Sequence, residues 1–176
     1  SADKAVVVIG QASHYCNFQY KSPEVTRTLL NAAAALIPRC EDKAAATESL
    51  LNCWLARHHP AVALSLFDEY LEPRINKSPD YQISYLWPAG LPATLERAQR
   101  SCDKLGFAST GIVCRTLGRV ASFEPDLAIQ WLETAAPSDL RDAATVEIVG
   151  GLTLELSNRP PLRQDAARWV ELGARR

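Results

Sequence analysis

Five cysteines (Cys16, Cys40, Cys53, Cys102, Cys114) and three histidines (His14, His58, His59) are the side chains here that could act as nucleophiles or metal ligands. Structural zinc needs ligands at short fixed spacings, and neither a CxxC pair nor an HExxH helix occurs. His14 and Cys16 are two residues apart, and His58 and His59 are adjacent, so on a helix their side chains point in different directions. No metal site and no cofactor site is expected. A cysteine nucleophile needs an electropositive, partly exposed setting that stabilises thiolate. Around Cys53 the sequence is Leu50-Leu51-Asn52-Cys53-Trp54-Leu55, which is apolar instead. The chain has no GxSxG, P-loop or GxGxxG motif. Asp68-Glu69 reads as a solvated helix face, and Arg97, Arg100, Arg168, Arg175 and Arg176 read as charges near helix C-termini. No catalytic residue is assigned, and an enzyme is not the expectation.

An odd cysteine count prevents complete pairing within the chain. One continuous helix over 41–58 would hold Cys40 and Cys53 on the order of 20 Å apart at 1.5 Å per residue. A disulfide needs Cα atoms within about 7 Å, which excludes that pair. The same objection meets Cys102–Cys114 unless Gly106 or Gly111 breaks the segment between them. Cys16 and Cys53 each precede a helix-starting proline by seven residues, so stacked hairpins could bring these two together. The alternative is that all five are free thiols packed as small apolar residues.

For binding chemistry the informative stretch is 72–92, EPRINKSPDYQISYLWPAGLP. Pro73, Pro79, Pro88 and Pro92 interrupt any regular helix there, since each lacks an amide donor and disfavours helix in the residue before it. Tyr81, Ile83, Tyr85 and Trp87 occupy alternate positions, so an extended backbone would align them on one face. Tyr, Trp and Arg are enriched in interface hot spots. Arg74, Tyr81, Tyr85 and Trp87 are therefore the candidate partner-binding residues. The competing reading has the aromatics folded back as a plug in the core.

The rest of the chain reads as helices. Over 3–18, Asp3 is a possible N-cap and Val7, Val8, Ala12 and Tyr15 recur at helical spacing, although the run Val6–Ile9 would also suit a strand. Ser22-Pro23-Glu24 has the chemistry of a helix start, and that helix runs to about Ile37 with Val25, Leu29, Ala32, Ala33 and Leu36 as its apolar stripe. Glu41 or Asp42 opens a helix reaching His58, whose C-terminal imidazoles would suit the helix dipole. Pro60 starts another, with Val62, Ala63, Leu66, Phe67 and Tyr70 inward. Further helices follow from Pro92, across 105–121, from Pro125, from Asp139 and from Pro161. Gly106, Gly111 and Gly118 in the 105–121 segment each cost about 1 kcal/mol relative to Ala, so they point to close approach of a neighbouring helix.

Three segments resemble one another. Pro60-Ala-Val-Ala63-Leu-Ser-Leu-Phe67 matches Pro125-Asp-Leu-Ala128-Ile-Gln-Trp131-Leu132 at proline, alanine and the bulky apolar sites. Ala166-Ala-Arg-Trp169-Val-Glu171 repeats the alanine-to-aromatic spacing. A small residue lets two helices approach, and an aromatic one turn later fills the space beside them. With Leu117-Gly118, Ala128-Ile129, Leu132, Ala135 and Pro137 in order, the chain resembles the tetratricopeptide (TPR) and related helical-hairpin repeat families. The interval from Gly118 to Ala128 is shorter than that family's. The resemblance implies an all-α fold of antiparallel helical hairpins stacked as a short α-solenoid, with the irregular segment 72–92 joining halves 1–71 and 93–176 of one domain. It also implies a concave surface that binds a peptide, a helix or a partner subunit.

Bulk composition agrees with a folded domain. The 176 residues are 47% hydrophobic and 22% charged, which is ordinary for a globular protein. A formal net charge of −1 argues against non-specific nucleic-acid binding, which needs many cations on phosphates. No apolar run approaches the roughly 20 residues of a membrane span. Frequent Arg and Ala-rich runs suggest a GC-rich bacterial genome. Ser1 in first place and the lack of any methionine point to processing or trimming, so the compartment stays open. The function expected is a protein–protein interaction or adaptor module. A small inhibitor or immunity-type protein that blocks an enzyme is the alternative.

Overall fold

A computed structural model describes residues 1–76, 80–106 and 109–158, leaving the side chains of 18, 80, 81 and 153–158 outside the description. The described residues are helical throughout and contain no strand. They fall into two compact units, 1–97 and 98–176, so the boundary lies beyond the 72–92 segment rather than within it.

The first unit begins with α1 (Ala2–Phe18) and α2 (Pro23–Ala34), which pack together. Ser1 caps α1. Asp3, the residue expected as cap, instead reaches across to accept the amides of Glu41 (3.4 Å) and Asp42 (3.3 Å). The helices expected here are present, but they turn different faces inward. Val6, Gly10 and Ser13 are buried on α1, whereas Val8 is 63% and Tyr15 57% exposed. On α2 the buried positions are Thr26, Leu30, Ala33 and Ala34, and Val25 is exposed. The reason is close packing through small residues. Thr26 returns its hydroxyl to the Ser22 carbonyl (2.9 Å) and lies against the Ser13 carbonyl (3.4 Å). A Cβ on Gly10 would come within 3.2 Å of Leu50.

After a 3₁₀ turn over Ile37–Arg39, Asp42 caps α3 (Lys43–Asn52) by accepting the Ala45 amide at 3.1 Å. The single helix expected to His58 breaks at Trp54, whose φ of 70° is left-handed, and resumes as α4 (Leu55–His58). That conformation costs a bulky residue about 1–2 kcal/mol. The Trp54 ring meets Trp87 edge-on (centroids 6.1 Å, 87°), and the Arg57 guanidinium lies 5.5 Å from its centroid. Such contacts contribute about 0.5–1.5 and 0.5–1 kcal/mol, enough to offset the strain.

Helix α5 (Pro60–Leu66) runs into a π-turn at Phe67–Leu71 and a 3₁₀ turn at Glu72–Arg74. The extended backbone expected between Tyr81 and Trp87 is not found. Instead α6 (Asp80–Ser84) and a 3₁₀ turn at Trp87–Ala89 lead into α7 (Leu91–Leu105). Local bonds explain the difference: the Leu86 amide donates to Ile83 (2.9 Å) and the Ala89 amide to Leu86 (2.8 Å). A lone extended segment would leave such groups unpaired. Prolines 73 and 88 are the second residues of the 3₁₀ turns, in the first turn, where a missing amide costs nothing. The core of this unit holds Leu30, Ile37, Leu50, Leu51, Leu55, Phe67, Ile83 and Leu86.

The second unit contains α8 (Ser109–Phe123), α9 (Pro125–Thr134) and α10 (Asp139–Asn158), with Leu117, Val120, Ala128 and Ile148 buried. The segment expected to be helical from 105 is interrupted at Gly106, whose φ is 69°. Gly118 does mark a close approach: a Cβ there would sit 2.8 Å from the Glu147 carbonyl oxygen. Gly111 does not, since among the described residues only the Arg115 side chain is near it. Opposite, a Cβ on Gly151 would overlap the Gly118 carbonyl, while one on Gly150 meets nothing among the described residues. The third copy of the repeated motif (166–171) and the helix expected from Pro161 lie outside the described residues.

Gly151→Ala is expected to destabilise the chain by about 1–3 kcal/mol through overpacking. Gly150→Ala should be neutral or stabilising by up to about 1 kcal/mol. Denaturant unfolding of the two variants checks this, and equal effects would disprove the helix contact.

Candidate functional site

A cleft of about 330 Å³ opens in the first unit, lined by Asp42, Ala44, Ala45, Glu48, Leu71, Arg74, Ile75, Asn76 and Gln82. One wall is the start of α3, which contributes its cap Asp42 together with Ala44, Ala45 and Glu48. The other wall is chain that leaves the α5 direction through the π-turn and the Pro73 turn. Single π-turns inside helices concentrate at functional sites. Buried Ala44 and Leu71 form the apolar floor, and the rim is polar.

The π-turn is pinned from α7. Arg97, 9% exposed, donates its Nε (2.8 Å) and Nη2 (2.5 Å) to the two carboxylate oxygens of Asp68, and its Nη1 to the Ala93 carbonyl (3.0 Å). Asp68 was expected on a solvated face and Arg97 as a terminal charge. Both expectations are corrected, since helical periodicity cannot show that two distant residues form a bidentate pair.

On the rim, Arg74 lies 3.3 Å from Asp42, with the side chains 64% and 56% exposed. Gln82 donates to Glu48 at 3.5 Å, the outer limit of a hydrogen bond. Of the residues expected to bind a partner, Arg74 lines the cleft and is exposed. Trp87 is 6% exposed against Trp54, and Tyr85 is half-buried. Tyr81 lies in α6 with its side chain outside the description. The extended backbone that would align Tyr85 with Trp87 is replaced by a turn. Asp42, Glu48 and Gln82 escaped the sequence reading, because one is a helix cap and the others look like ordinary surface positions. A helix-starting acid beside a proline-broken segment was the available signal.

The thiol and imidazole chemistry is also placed. All five cysteines are free thiols. Cys53 lies against the α1 backbone at Gly10, with its Sγ 3.3 Å from where a Cβ would be. Burial pushes the Cys53 thiol up, and likewise Cys40 and Cys114, opposite to the shift a nucleophile needs. His58 ends α4 as expected, but the expected charged imidazole is corrected. Burial, with the positive charge of Arg27 and Arg57 nearby, holds its pKa below the usual 6.5. Its buried Nε2 has no hydrogen-bond partner among the described residues. His59 contacts the Arg27 carbonyl at 2.8 Å. Among the described residues no three potential ligands cluster as a metal site, and no helix is long and apolar enough to cross a membrane.

No family model matches the chain, and no curated protein or solved structure is significantly similar to it.

Two outcomes are expected. Arg97→Gln should cost about 1.5–3 kcal/mol by leaving charge-assisted bonds unmade, measured by chemical denaturation. His58 has a lowered folded-state pKa, so the unfolded chain binds its proton first as the pH falls. Its contribution to stability is complete above about pH 6.5 and is lost as the pH falls through the folded-state value. His58→Gln should therefore lose less stability than the parent between pH 7 and 5; identical pH profiles would exclude this.

Proposed function

We propose that this chain is a protein-interaction module and that the cleft between α3 and the 71–76 segment receives a short segment of another protein. The observation that carries this reading is the cleft itself. It has an apolar floor, a polar rim with unspent hydrogen-bonding capacity, and anchorage to a part-buried ion pair. A volume of about 330 Å³ is at the lower end for ligand sites and suits one or two side chains of a peptide. Arg74, one of the four partner-binding residues expected from the sequence, stands at its edge.

The repeat reading is part of the same proposal. Pro60 and Pro125 each start their helices after N-caps of nearly equal geometry, φ −138° and ψ 68° at His59 against φ −135° and ψ 73° at Glu124. Ala63 and Ala128, three residues on, are both fully buried. These likenesses favour two copies of one hairpin unit in a short TPR-like array. The bulky positions are less alike, since Leu66 and Phe67 are buried while their counterparts Trp131 and Leu132 are only partly so.

Panning a random heptapeptide display library on the folded chain tests the module. Peptides should be enriched, and Ala45→Trp, which fills the cleft from an exposed position, should weaken them at least tenfold in fluorescence anisotropy. Enriched peptides that ignore Ala45→Trp would place binding elsewhere.

A further inference from the structure

The two carboxylates of the cleft are not equally committed. Asp42 caps α3 through the Ala45 amide and also faces Arg74, with one oxygen serving both. Glu48 meets only the amide of Gln82, at 3.5 Å, and no cation pairs with it among the described residues. Of the described lining side chains, Asp42 and Glu48 are acidic and Arg74 is the basic one. Half-buried Glu48 thus presents a carboxylate with spare acceptor sites above an apolar floor. The oxygens of Asn76 and Gln82 are further acceptors on the same lining. Taking the cleft as a peptide site, on which this step rests, we infer that it recognises a lysine or arginine side chain. The head group lies on Glu48, and the methylene stem lies over Ala44, Leu71 and Ile75.

Arg74 then has a definite part. It is an internal cation at the mouth, held only by an exposed ion pair with Asp42. Pairs so exposed contribute about 0–1 kcal/mol, so an incoming cation displaces Arg74 at little cost. Arg74 therefore competes with the ligand for Asp42 instead of binding it. The opposite arrangement, in which Arg74 grips an acidic ligand, would bring that ligand's charge against Glu48. Complementarity of this kind selects partners and weakens with salt.

The test uses heptapeptides selected on the whole chain, labelled with fluorescein, with each Lys or Arg also replaced by glutamine. Peptides sensitive to Ala45→Trp should carry a Lys or Arg and lose at least tenfold affinity when it is replaced. Glu48→Gln should weaken them similarly, and Arg74→Gln should strengthen them about threefold, both variants melting with the parent. Cleft-dependent peptides without a basic preference, or indifferent to Glu48→Gln, overturn this inference and leave the module intact. Loss of binding in Arg74→Gln overturns it in favour of an acidic ligand. If no peptide is enriched, the module reading fails and this inference with it.

Discussion

A guanidinium withdrawn from water must have its donors met, and Arg97 meets them at both oxygens of Asp68 and at the Ala93 carbonyl. That requirement organises the first unit. Asp68 lies in the π-turn where the α5 segment loses its regular register, so the pair fixes the turn against α7. Once the turn is held, Leu71 points into the floor of the cleft and Pro73 sends the chain away. Replacing the pair with apolar side chains could preserve stability, but would not impose the same register. Geometric specificity is what a bidentate bond adds.

Small residues set the other constraint. Gly10 on α1 approaches Leu50 and Cys53, Ser13 meets Thr26, and Gly118 faces Gly151. Each close contact trades side-chain burial for backbone proximity, and each decides which neighbours turn outward. On α1 the result is an exposed line of Val8, Ala12 and Tyr15 beside an inward line of Val6, Gly10 and Ser13. Packing density, not the count of apolar atoms, chooses the face.

Strain at Trp54 shows the same economy in a different form. A left-handed tryptophan is tolerated because its ring gains Trp87 and Arg57 as neighbours. Trp87 is thereby drawn into the core, and the cleft is lined by polar rather than aromatic groups. The cleft that results combines one spare carboxylate with an easily displaced cation, a pairing suited to selective and salt-sensitive association.

By itself the sequence determined the all-helical class, most helix starts and the breaks between helices. These depend on local chemistry: prolines without amides, acids and hydroxyls at N-caps, and apolar residues at helical spacing. It determined the place of Arg74 at an irregular, proline-rich segment as well. Only the tertiary structure decided the inward faces of α1 and α2, the break at Trp54, the helical path over 80–89 and the pairing of Asp68 with Arg97. Apart from the path over 80–89, which local turn bonds hold, each follows from contact between residues far apart in the chain, and a periodic pattern holds no information about distant partners. The cleft shares that origin. Asp42 and Glu48 are common surface residues until the π-turn and the Pro73 turn bring Arg74 and Gln82 opposite them.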